Sequence, residues 1–152
     1  MSPRIICRLA VFDEKHLLLV RNENLPYWYP PGGGWEPGET LPECGAREVF
    51  EETRLRVEVG ELLFVQEFYG EGKHERSLEL TFLATLADGK SEPHIPKQEH
   101  LAEARWFNYE EVRKLTVYPP QMKEVWRLGP KRESTHSTYI GVATDESGSG
   151  EQ

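Results

Sequence analysis

Glu48, Glu51 and Glu52 stand at i, i+3 and i+4, a spacing that gathers three carboxylates on one face if the segment is helical. Like charges so placed repel by roughly a few tenths of a kcal/mol per pair in water, and by more in a partly enclosed site. A divalent cation reverses the sign, and hard oxygen donors suit magnesium or manganese. The ordinary alternative is a solvated acidic helix face. Two neighbours favour a site. Gly32, Gly33 and Gly34 precede the segment and let backbone approach a ligand closely, and Arg47 lies four residues before Glu51, placed to orient it.

The elements that must hold these residues are legible on both sides. Thr40-Leu-Pro-Glu43 has the form of a capping box, with proline in the tolerated first turn, and predicts a helix from about Leu41. On that helix Ala46, Val49, Phe50 and Thr53 are expected to pack on a sheet while the carboxylates face outward. Ile5 to Val11 and Leu17 to Val20 read as a hairpin about the turn at Asp13 to His16. Leu62 to Tyr69 and Ser77 to Leu86 read as strands joined across a polar turn, and Ala104 to Phe107 as a short strand. Asn108 is placed to cap a helix from Tyr109 to Leu115. Asp88 to His100 is a polar, proline-bearing loop long enough to carry function, and the chain from Lys131 onward reads as a mobile tail.

The 152 residues fit one domain with a real core, and no internal repeat interrupts them. The formal charge of −8 excludes broad contact with nucleic-acid backbone or anionic lipid, so a phosphate-bearing ligand needs cations brought to it locally. No apolar run approaches membrane length, and the N-terminus lacks the apolar region of a signal peptide. A cytoplasmic location is expected. Cys7 and Cys44 are too few for a disulfide framework and too isolated for a zinc site; both are expected as small packed residues.

Gly33, five residues, Glu39, seven residues and then Arg47-Glu48-Val49-Phe50-Glu51-Glu52-Thr53-Arg54-Leu55 resembles the Nudix box of the Nudix hydrolase family. The box covers 23 of 152 residues, and flanking matches at Trp28, Pro31 and Ala104 to Phe107 extend the likeness from residue 4 to about 128. The resemblance implies an α/β fold, an α/β/α sandwich around a mixed β-sheet, with a single Nudix domain over 1–130 and a C-terminal extension over 131–152, flexible at its end. It implies a hydrolase that cleaves the pyrophosphate linkage of a nucleoside diphosphate linked to another moiety, with Mg2+ or Mn2+ as cofactor. Glu48, Glu51 and Glu52 would hold the metal, the carbonyl of Gly32 would complete the shell, and Arg47 would orient a carboxylate. Arg54 departs from the family, which usually has glycine at this helix end. A left-handed non-glycine residue there costs on the order of 1 kcal/mol and bears on stability more than chemistry.

Other roles stay open at the level of sequence. Glu99, His100 and the box glutamates Glu48 and Glu52 are all candidates for the general base, with Glu99 also readable as a metal ligand or a solvated loop residue. Arg21 is a candidate phosphate contact or a solvated strand-end arginine, with Lys73 and Arg76 behind it; Glu103 reads as structural. Tyr27 and Tyr69 are candidates for stacking on a nucleobase, whereas Trp28 reads as packing. The positions that mark ADP-ribose and dinucleoside polyphosphate hydrolases of the family are filled by Gly70 and Glu71, so neither subgroup is favoured. The expected partner is a nucleotide-type small molecule. No DNA-binding domain or membrane partner is expected, and a homodimer is left open. The alternative function is a nucleotide-binding sensor with little catalysis, although such relatives usually lose box carboxylates that this chain retains.

Overall fold

The computed structural model describes residues 3–70, 76–89, 91–129 and 138–144. In chain order the elements are β1 (Arg4–Asp13), β2 (His16–Asn22), β3 (Gly32–Gly34), α1 (Leu41–Thr53), β4 (Val57–Tyr69), β5 (Arg76–Leu86), β6 (Leu101–Phe107), α2 (Tyr109–Lys114), α3 (Met122–Leu128) and β7 (Thr138–Thr144). The strands form one mixed sheet in the order β6-β2-β1-β5-β4-β7, with β3 added to β1. β1 runs parallel to β5, and it is long enough to serve two antiparallel partners on its other edge. Phe12 and Asp13 pair with β2, while Ile6, Cys7 and Arg8 pair with Gly34, Gly33 and Gly32.

Alternation along β1 divides the core between two faces. Ala10 and Phe12 join Leu17, Leu19, Val112, Met122 and Val125 on one side. Leu9 and Val11 join Leu18, Val49, Leu55 and Phe82 on the other. Helix α1 therefore covers one face and α2 and α3 cover the other, which is the α/β/α sandwich expected. Because both faces are covered, Leu9 to Phe12 and Leu17 to Val20 are continuous buried runs rather than alternating ones. Each such side chain contributes about 1.5–3 kcal/mol on burial, against about 0–1 for an exposed ion pair, so these two clusters hold the sandwich together.

The ends of α1 follow the sequence signals. The Thr40 hydroxyl accepts from the Glu43 amide at 3.2 Å, and the Glu43 carboxylate accepts from the Thr40 amide at 2.7 Å. At the other end Arg54 has φ 63° and donates its backbone N–H to the Phe50 carbonyl, the left-handed stop that glycine would make without strain.

Several sequence expectations need correcting. The stretch from Lys131, expected as a mobile tail, contains β7, which pairs in parallel with β4 at the edge of the sheet. Its expected flexible end, 145–152, lies outside the described residues, as do 71–75 of the polar turn, Lys73 included. β4 begins at Val57 rather than Leu62. β3 and α3 were not foreseen. Three glycines carry no strand propensity, and α3 begins without a side-chain cap at Gln121, so neither announces itself locally.

Candidate active site

β3 is made of glycine because two neighbours leave no room for a side chain. A Cβ at Gly32 would strike the Cys7 carbonyl and come within 2.6 Å of the Arg8 Cα, so the strand can lie directly against β1. A Cβ at Gly33 would fall on the Glu48 carboxylate. The Gly32 amide donates to Oε1 of Glu52 at 3.2 Å. The glycine strand thus seats two of the three helical carboxylates.

The carboxylate face is not uniformly outward, which corrects the expectation from helix periodicity. Glu51 is exposed, with half of its side chain accessible, Glu48 is largely covered at 19%, and Glu52 is buried at 4%. The packed face of α1 is Cys44, Gly45, Val49, Glu52 and Thr53, whereas Ala46 and Phe50 are only partly covered. Gly45 faces the side chain of Leu9, where a Cβ would come within 2.7 Å, so the helix lies close on the sheet and β3 closes over its carboxylate edge. Phe50 instead lies beneath the guanidinium groups of Arg54 and Arg56.

Burial raises the pKa of Glu52 to about 8; the charges of Glu48 and Glu99 add to the shift, while Arg8 and the Gly32 amide oppose it. Glu48 is raised by the same cause, with Glu51 and Glu99 adding and Arg47 opposing. Four acidic groups, Glu48, Glu51, Glu52 and Glu99, therefore act on one small volume, and the arrangement favours protonation or a cation there.

Arg47 is the hub that periodicity only half revealed. It reaches Glu51 at 3.2 Å as its i, i+4 spacing suggests, but also Glu48 at 2.9 Å, the Gly34 carbonyl at 3.0 Å, and both oxygens of Glu39 at 2.9 and 2.8 Å. Its hydrogen bonds hold Glu39 well below the usual range, at about 2. Glu39 also accepts from the Glu36 amide, and its carbonyl accepts from the indole nitrogen of Trp35. Loop and helix are thereby locked by one guanidinium.

Glu99 sits half-buried in the loop before β6, and its charge acts on both Glu48 and Glu52, which places it at the same end of the site; His100 is exposed. Tyr27 lines a cavity of about 190 Å3 with Arg8, Leu25, Tyr29, Phe68 and Tyr118. Arg8, which sequence reasoning missed, donates to Glu79 at 2.9 Å and to the Pro30 carbonyl at 3.3 Å, and lies 5.3 Å from the centre of the Tyr29 ring. Its signal was present, an arginine inside the apolar run of β1. Arg21 is held by Glu103 at 2.7 Å, the ring of Tyr69 lies under Arg76, and Arg76 pairs with Glu67. Trp28 packs edge-on against Phe107 at 4.8 Å. Cys7 and Cys44 are free thiols in the interior.

Among the described residues no three carboxylate, imidazole or thiol side chains are gathered closely enough to cage an ion as they stand. The donors that share this end of the site, Glu48, Glu51, Glu52 and Glu99, are all hard oxygens, and burial makes the charged form costly for two of them, Glu48 and Glu52. That chemistry fits magnesium or manganese and not a soft metal.

The sandwich, the glycine strand and the carboxylate helix together define a Nudix domain. The NUDIX domain family matches residues 2–128, and the chain belongs to that family. It is 38% identical over 117 residues to the NAD-capped RNA hydrolase NudC of Edwardsiella ictaluri, across 76% of this chain and 42% of that protein. It is 32% identical over 132 residues to a human diphosphoinositol polyphosphate phosphohydrolase, across 83% of this chain and 70% of that one. The chain thus spans less than half the length of the first relative. Its fold is similar to that of a NUDIX hydrolase crystal structure from Nitrosomonas europaea, with TM-score 0.71 and 24% identity, covering 93% of this chain and 80% of that one. No helix among the described residues is long and apolar enough to cross a membrane.

Proposed function

We propose that this protein is a divalent-metal-dependent hydrolase that cleaves the pyrophosphate linkage of a nucleoside diphosphate joined to another moiety, a nucleoside triphosphate or nucleotide sugar type of substrate. The observation that carries the reading is the seating of Glu48 and Glu52 against Gly33 and Gly32, with Arg47 fixing Glu48 and Glu51. Glu48, Glu51 and Glu52 would hold Mg2+ or Mn2+, with the Gly32 carbonyl as a further donor. When bound, such ions polarise the phosphorus–oxygen bond and lower the pKa of an attacking water.

The chain's own residues supply the rest. Arg47 keeps Glu48 and the exposed Glu51 from turning away from the site, and Glu39 keeps Arg47 in place. Glu99 is the proposed acceptor of the water's proton, since it stands at the same end as Glu48 and Glu52. The tyrosine-lined cavity at Arg8, the strand partner of Gly32, is the proposed seat of the nucleoside, with Tyr27 offering a ring for stacking and the Arg8–Glu79 pair a polar wall. The NudC and diphosphoinositol polyphosphate phosphohydrolase relatives support a phosphoanhydride substrate, and the three retained glutamates support turnover over binding alone.

A panel of nucleoside triphosphates, nucleotide sugars and dinucleotides, assayed in magnesium, in manganese and in chelator, tests the reading. Turnover of at least one substrate that vanishes in chelator is expected. Turnover of none, or turnover indifferent to chelation, would contradict it.

A further inference from the structure

Arg4, Ile6 and Arg8 alternate along β1 and so share one face of the strand. Three neighbouring cavities follow them. Arg8 and Glu79 line the tyrosine cavity; Glu79 also lines one of about 170 Å3 with Arg4 and Ile6. Arg4 in turn lines a third, of about 420 Å3, with Ile5, Gly34, Trp35 and Glu48. The row runs from the tyrosines to the front of the carboxylate helix and continues beyond it to an indole.

Trp35 and Arg4 stand at the far end. Trp35 is 38% exposed although it is a large apolar side chain, and its indole nitrogen is fixed to the Glu39 carbonyl at 2.7 Å, so the exposed ring is held in one pose. Arg4 lies over Gly34, with Nη2 3.0 Å from where a Cβ would stand, and makes no ion pair with any described carboxylate. Arg8 and Arg76, which line the other two cavities, are each paired with a glutamate. A held aromatic ring beside an uncommitted guanidinium, next to Glu48, is suited to a planar group carrying a phosphate.

We infer that this third cavity seats the second half of the substrate, with Trp35 stacking on a planar ring and Arg4 binding a phosphate oxygen. The substrate class is then a pyrophosphate with a ring at each end, one nucleoside in the tyrosine cavity and the second ring on Trp35. The inference rests on the hydrolase reading for which bond is cut, but the subsite is a claim about binding.

Calorimetric titration in magnesium with the non-hydrolysable, methylene-bridged analogues of diadenosine diphosphate and of ADP tests it. Wild-type protein should bind the two-ring compound about tenfold more tightly or better. Trp35→Ala should erase that difference, Trp35→Phe should keep most of it, and Arg4→Ala should weaken the two-ring compound more than the ADP analogue. Quenching of tryptophan fluorescence by the two-ring compound should shrink in Trp35→Ala. Equal affinities in the wild type, no measurable binding of either compound, or a difference that survives in a folded Trp35→Ala protein would overturn the inference. A two-ring preference in a protein that hydrolyses nothing would uphold the subsite and defeat only the hydrolase reading.

Discussion

The Gly32 amide donates to the buried carboxylate of Glu52 at 3.2 Å, and through this contact the sheet, not the helix alone, sets where the acidic cluster lies. Gly32 is itself clamped against Cys7 and Arg8 of β1, so Glu52 is referenced to the most buried strand of the protein. A carboxylate so placed gives up solvation, and the site's response to pH and to substitution follows from that cost.

Burial holds Glu52 at about 8 in the fold, above the ordinary 4.5. Between those values the metal-free folded protein keeps a proton that the unfolded chain has lost. Stability therefore falls as pH rises through that window, by up to about 1.4 kcal/mol per pH unit for this one group. Glu39 works in the opposite sense and lower. Its folded value is about 2, so the stability it gains from Arg47 is present above 4.5 and is lost as pH falls toward 2. Denaturant titration of the metal-free protein between pH 5 and 8 should show the midpoint falling, and Glu52→Gln should flatten the trend. A midpoint that rises over that range would refute this account of Glu52.

Gly33→Ala should damage activity more than stability. Its new Cβ would occupy the place of the Glu48 carboxylate, and a flexible side chain can turn away at little cost to the fold. The expected result is a loss of about a hundredfold or more in kcat/KM with a melting temperature lowered by only a few degrees. Unchanged kcat/KM would show that Glu48 does not need its seat.

Arg54→Gly should stabilise the protein by up to about 1 kcal/mol, since it removes a non-glycine residue from left-handed backbone. The gain is reduced by loss of the contact between its guanidinium and the Phe50 ring at 5.2 Å. Thermal denaturation of the two proteins side by side measures the balance, and a lowered melting temperature would mean that the Phe50 contact outweighs the strain.

Much of this was legible from local signals. The capping box of Thr40 and Glu43 and the cap at Asn108 need only neighbours in sequence to work, so spacing revealed them, whereas the left-handed stop at Arg54 was implied by the resemblance to the family. The inward turn of Glu52 was not legible, because helical periodicity says which residues share a face but not which element covers that face. β3 supplies the cover, and three glycines give no sign of being a strand until β1 lies beside them. The same holds for Arg47, whose link to Glu39 crosses the loop, and for β7, whose partner β4 lies some seventy residues earlier. Arg8 and Arg4 were passed over because an arginine in a strand reads as an edge residue until its cavity is known.

Glu99→Gln should lower kcat far more than it raises KM, with His100→Ala mild by comparison, because the charge of Glu99 acts on Glu48 and Glu52 whereas His100 is exposed. Steady-state kinetics on whichever substrate the panel yields decides the ranking. The reverse order would move the base to His100, and near-full rate in both variants would move it to a box glutamate, with Glu48 the first to test.

The most direct measurement is turnover by Glu52→Gln in saturating magnesium or manganese, with circular dichroism on the same sample to establish folding. The substitution removes one charge and keeps the shape of the side chain, and the Gly32 amide can still donate to its amide oxygen. A metal-dependent pyrophosphohydrolase built on this site should retain its fold and lose about a thousandfold or more of its rate. A folded Glu52→Gln protein that turns over substrate at close to the wild-type rate would contradict the assignment.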